Sequence, residues 1–120
     1  MLSEIKNRLR RAHDEIEGKY LVYSLACPVD KKVRWIGIST WLPGRFESHW
    51  NNFDSHNILK TGWVLALKKM GSFPDMKALK GFDEREDAIK YENHLILKHI
   101  KTVLNKYPIK TTGIILRNGN

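Results

Sequence analysis

The chain has 120 residues, 42% of them hydrophobic and 28% charged, with a formal net charge of +8. That size suits one domain around one core, and no stretch approaches the ~18 apolar residues of a membrane span. Cys27 is the only cysteine, which excludes an internal disulfide and a cysteine-built zinc site.

Residues 1–19 are charged throughout and lack the apolar stretch of a signal peptide, so the expected setting is cytoplasmic. In the first segment Leu2, Ile5, Leu9, Ala12 and Ile16 step by three or four. That spacing predicts an amphipathic helix, with Gly18 as its C-cap. "KYLVYSLACP" then reads as a strand, "PVDKK" as a turn and "VRWIGIS" as a second strand, which together make an antiparallel hairpin.

A helix should begin near Thr40 or Trp41, with Pro43 tolerated in its first turn. Another should run from Ile58 through Trp63 and Leu67 to Met70, where Gly71 stops it. "SFPDMKALKGF" contains a proline and suits an edge strand. Asp83 followed by Glu86 resembles a capping box opening a long helix to about Ile100. The order α-β-β-α-α-β-α gives an α+β fold: a small three-stranded sheet, antiparallel or mixed, flanked by helices.

The positive surplus favours polyanionic partners through counterion release, although a solvated lysine-rich surface would look the same. Lys101, Lys106, Lys110 and Arg117 make residues 101–120 a basic arm without an acid. In the last helix Ala88, Glu92, Leu95, Ile96 and His99 share one face. A carboxylate inside such a stripe is costly unless it is paired or holds a metal, or unless it lies at the stripe's edge beside a lysine. Arg45 and His49 are i,i+4 neighbours, whose plain reading is an exposed pair. Tyr23 reads alone as a core aromatic. His13, His56, His94 and His99 read as surface residues.

Together these positions resemble the GIY-YIG nuclease superfamily. Leu21-Val22-Tyr23 stands for its first motif and Trp35-Ile36-Gly37 for its second. Arg45 follows Trp35 by ten residues, His49 follows Arg45 by four, Glu92 lies in a later helix, and Asn105 comes thirteen after it. The resemblance implies a nuclease domain over residues 19–107, between an N-terminal helix (1–18) and a basic C-terminal tail (108–120). It also implies metal-dependent hydrolysis of phosphodiester bonds in nucleic acid, DNA first among the candidates. Glu92 would hold a single divalent cation, Mg²⁺ or Mn²⁺, and Arg45 would stabilise the phosphate. Tyr23 and His49 would activate water. Trp35, Gly37 and Asn105 would support the site, Gly37 by letting backbone pass close to it, and Arg45, Lys101, Lys106 and Lys110 would contact nucleic acid.

The chain departs from the family pattern at Leu21, at Trp35 and at Ile38, where relatives often carry a polar residue. Trp35 matters most, because an indole offers one N–H and cannot act as a base. Either Tyr23 with His49 suffices, or the chain is a nucleic-acid-binding module that has lost hydrolysis. A structural or interaction protein is a further alternative, if Trp41, Trp50, Phe53 and Trp63 form an exposed apolar patch.

Overall fold

A computed structural model of the protein describes residues 1–51 and 57–105. Phe53, His56, Lys106, Lys110, Arg117 and the tail over 108–120 lie outside the described residues. The elements are α1 (Leu2–Glu15), β1 (Tyr20–Ala26), β2 (Val33–Ser39), α2 (Leu42–Asn51), α3 (Ile58–Met70), β3 (Asp75–Phe82) and α4 (Arg85–Lys98). The α+β order expected from the sequence is the order observed.

Both strand pairings are antiparallel and β1 lies between β2 and β3. The sheet is therefore antiparallel rather than mixed, with β3 at one edge. Leu21 to Leu25 are all buried, as befits a central strand covered on both faces. The period of two sorts them. Leu21, Tyr23 and Leu25 pack with Leu9 of α1, Leu42 and Phe46 of α2, and Met76 of β3. On the opposite face Val22 and Ile36 pack with Ala88, Leu95 and Ile96 of α4.

The outer edge of β2 is closed by the segment after α4. The Leu104 amide donates to the Arg34 carbonyl at 2.6 Å. The Asn105 side chain acts as one more strand residue. Its Oδ1 accepts from the Ile36 amide at 3.1 Å and its Nδ2 donates to the Ile36 carbonyl at 2.9 Å. Asn57 locks this segment to α3, because its Nδ2 donates to Leu104 O at 2.7 Å while its Oδ1 caps the helix at Lys60 N, 3.0 Å away. These bonds satisfy backbone groups that an open edge would leave to solvent or to another chain.

Several local expectations are corrected. Helix α1 ends at Glu15 with an extended Ile16 as its C-cap, so Gly18 does not cap it. Gly18 instead adopts φ +122, where a Cβ would strike the backbone of Gly81 and Phe82. Helix α4 begins at Arg85 behind Glu84, without a side-chain cap bond, so the Asp83 capping box does not form. Glu86 and Asp87 in its first turn still complement the helix dipole.

In α3 the buried stripe is Lys60, Val64 and Leu67, whereas Met70 is exposed and Trp63 half-buried. The cap at Asn57 ties the first turn to the sheet edge, and the stripe starts there. The exposed aromatic patch that a structural or interaction protein would need does not form among the described residues. Trp50 stacks on Phe73 at 4.5 Å and Trp63 packs on the core. Only Trp41 of the three is exposed.

Two glycines test this packing. A Cβ on Gly81 would overlap the Glu17 carbonyl, while one on Gly62, inside α3, meets open space. Gly81→Ala should lower stability by about 1–3 kcal/mol through overpacking. Gly62→Ala should raise it by roughly 0.5–1 kcal/mol through helix propensity. Urea unfolding midpoints should move in opposite directions, and a shared direction would contradict the packing of the α1–β1 turn on β3.

Candidate active site

Tyr23 stands at the middle of β1, opposite Gly37 of β2. A Cβ at position 37 would overlap the Tyr23 phenol. Glycine here makes room for the phenol to lie across the neighbouring strand, so that the β2 backbone passes close to the Tyr23 hydroxyl as expected.

The phenol ends at α2. Its hydroxyl meets His49 Nε2 at 2.5 Å, with ring centroids 5.7 Å apart. Leu42, Phe46 and His49 lie on the buried stripe of α2, at spacings of four and three. Arg45 falls just off that stripe and is exposed. The i,i+4 pair is thus divided, the imidazole inward and the guanidinium outward.

Trp35 of β2 presents its ring edge-on to His49, with centroids 5.9 Å apart. Its indole, which can only donate, lowers the Tyr23 pKa. Lys60 of α3 places its Nζ 5.0 Å from the Trp35 ring centre, although the lysine is only 6% exposed. The sequence reading missed Lys60. Its signal was weak, a lysine three residues after an asparagine cap, and lysines are almost never fully buried.

Glu92 is 1% exposed and comes from α4, on the far face of the sheet. Its charge nonetheless acts on the Tyr23 hydroxyl. The four expected catalytic residues therefore meet in two ways. Tyr23 and His49 are in contact, while Arg45 and Glu92 reach the phenol through their fields. A cleft of about 80 Å³ between α2 and α3 is lined by His49, Trp50, Lys60 and Lys68, but by neither Arg45 nor Glu92. Asn105 holds the β2 edge at Ile36, between Trp35 and Gly37, so it positions that strand. Lys101 is exposed beyond the end of α4.

Burial dominates the protonation of the buried pair. It raises the Tyr23 pKa well above the usual phenol range, against the lowering effects of Arg45 and the Trp35 N–H, and Glu92 adds to the rise. His49 is pushed down to about 3 by burial first, then by the positive charges of Lys60 and Arg45. Both groups are neutral near pH 7. With both groups neutral, the direction of the hydrogen bond follows the imidazole tautomer: Tyr23 donates when the ring proton is on Nδ1, and Nε2–H donates to the phenol oxygen when it is on Nε2.

A metal ion would find one strong ligand here. Among the described residues no group of three or more His, Cys, Asp and Glu could hold one. A lone carboxylate does not suit Zn²⁺ or a Ca²⁺ cage. It does suit Mg²⁺ or Mn²⁺, which keep several waters and take phosphate oxygens from a substrate. The donor chemistry of Glu92 fits that kind of ion.

The family model for the GIY-YIG catalytic domain matches residues 19–107. No curated protein and no solved structure matches the chain.

The depressed His49 pKa makes a stability prediction. The unfolded ring titrates near 6.5 and the folded ring near 3. Below pH 6.5 the unfolded state takes up a proton that the folded state refuses. The stability contributed by His49 is full above that pH and is lost as pH falls toward 3. Between pH 7 and 4.5 the wild type should lose up to about 2–3 kcal/mol more than His49→Gln, measured by urea unfolding. Parallel pH profiles would show that His49 is not buried in its neutral form.

Proposed function

The chain belongs to the GIY-YIG nuclease family, and from that membership we propose that it is a metal-dependent endonuclease hydrolysing phosphodiester bonds in DNA. The observation that carries this reading is the buried Tyr23–His49 hydrogen bond, with Arg45 and Glu92 acting on the same hydroxyl.

The scissile phosphate would enter beside Arg45, whose forked donors suit two phosphate oxygens and the charge that builds on them in the transition state. Lys60 adds a second positive charge from α3. Glu92 would hold Mg²⁺ or Mn²⁺, which supplies Lewis-acid polarisation of the phosphate when bound. Tyr23 is too weak an acid to stand as a phenolate, so its oxygen receives the proton of the attacking water only as its own proton passes to His49. His49 is a poor base in the free protein because burial disfavours its charged form, and Lys60 and Arg45 add to that. A bound phosphate offsets those charges and raises the basicity of the imidazole. Proton acceptance thus becomes coupled to substrate binding.

Supercoiled plasmid incubated with Mg²⁺ or Mn²⁺ tests the proposal. The wild type should nick it. Tyr23→Phe should slow nicking by roughly 100-fold or more, the usual scale of a lost proton-transfer group, and Glu92→Ala, which removes the carboxylate that would hold the metal, should abolish it. Trp35→Tyr should stay active, because a tyrosine can also donate to Tyr23. A wild type inert with both metals overturns the proposal. If Trp35→Tyr then cleaves, the chain is a binding module whose hydrolysis was lost at position 35.

A further inference from the structure

Trp41 is an exposed aromatic held rigidly from three sides. Its amide donates to Ser39 Oγ at 2.9 Å, and its carbonyl accepts the Arg45 amide at 3.1 Å, which makes it the entry to the first turn of α2. The indole edge lies over Gly44, where an added Cβ would come within 3.1 Å of Cδ1. His13 of α1 packs against it in a T-shaped contact, with centroids 5.0 Å apart. His13 is itself fixed, because its Nδ1 accepts the Leu42 amide at 3.4 Å. It is thus a half-buried positioning group and not the surface histidine expected. Despite these supports Trp41 remains 44% exposed.

The surroundings are cationic. Arg45 is one helical turn onward, on the same side of α2, because residues four apart are neighbours on a helix. Arg10 lies three residues before His13 on α1 and is exposed. The helix that supplies His13 and Arg10 precedes residues 19–107, the span matched by the family model. An ordered, open aromatic one turn from a phosphate-binding arginine has the form of a stacking platform for a nucleobase. Bases inside an intact duplex present no open face to such a platform. An unpaired base does.

We infer that Trp41 is a base-stacking site, backed by His13, that selects nucleic acid carrying an unpaired nucleotide next to the phosphate bound by Arg45. This rests on the nuclease reading above, and it adds the substrate class: single-stranded, gapped or flapped strands in preference to continuous duplex.

The test is binding, read without cleavage. Fluorescence anisotropy in EDTA at fixed salt gives the Kd of the full chain for a 12-nucleotide single strand, the same strand with abasic sites, and the 12-base-pair duplex. Trp41→Leu keeps an apolar side chain and removes the aromatic face, while Trp41→Phe keeps a smaller face. Trp41→Leu should weaken single-strand binding roughly 5- to 100-fold, the range for loss of one stacked base, and duplex binding less than twofold. Trp41→Phe should recover most of the loss, and abasic sites should erase the difference between wild type and Trp41→Leu. Equal losses on single strand and duplex, or no loss on either, overturn the inference while leaving the nuclease reading intact. A wild type that binds none of the three overturns both. Circular dichroism melting of each variant shows whether a loss of binding is merely a loss of fold.

Discussion

The site depends on one steric fact: the phenol of Tyr23 occupies the space that a side chain at position 37 would fill. Cross-strand partners in an antiparallel pair stand side by side, and any residue larger than glycine would push the ring away from β2. Because Gly37 yields, the ring crosses its neighbour and carries its hydroxyl to His49 on α2. The hydrogen bond that results joins the middle of the central strand to α2, the second helix of the chain. Both partners are buried, and both sit on regular elements rather than loops, so their separation is set by packing.

That placement governs the electrostatics. Tyr23 and His49 are each driven to their neutral forms by burial, and around them stand Arg45, Lys60 and Glu92. Among the described residues these are two positive charges and one negative, with Arg45 exposed and Lys60 and Glu92 buried. Burial first, and then Lys60 and Arg45, hold His49 near pKa 3, so on the proposed reading a phosphate that neutralised those cations would raise the basicity of the imidazole.

Much of this was legible in the sequence because it rests on spacing. The order of elements followed from the periodicities of two and of three to four, and Gly71 does end α3 in a left-handed conformation. The convergence near Tyr23 was legible only through the ordered intervals from Trp35 to Arg45, His49 and Glu92, since no single position announces it. What stayed hidden depends on contacts between distant segments. Lys60 is buried because Asn57 is tied to Leu104, which no local pattern reveals. Gly18 looked like a helix cap because helices often end at glycine. It is needed instead for a backbone-to-backbone approach to Gly81, 63 residues away. Asn105 carries no sign that its amide would imitate a strand at Ile36. His13 looked like one more exposed histidine until the packing of α1 on α2 placed it under Trp41.

The tryptophan at position 35 removes one possible acceptor for the Tyr23 proton. A hydroxyl has one proton to give and two lone pairs to receive. The Tyr23 hydroxyl shares its hydrogen bond with His49 Nε2, and the Trp35 side chain lowers the Tyr23 pKa as a donor does. A tyrosine at position 35 could turn its own hydroxyl either way, donating to Tyr23 or accepting from it, and acceptance would draw the Tyr23 proton away from His49. An indole can only donate. With Trp35 in place, position 35 offers the Tyr23 proton no acceptor, whereas the imidazole of His49 can be one. On the proposed mechanism, the loss of an ionisable group at position 35 is therefore compatible with a relay from water to phenol to imidazole.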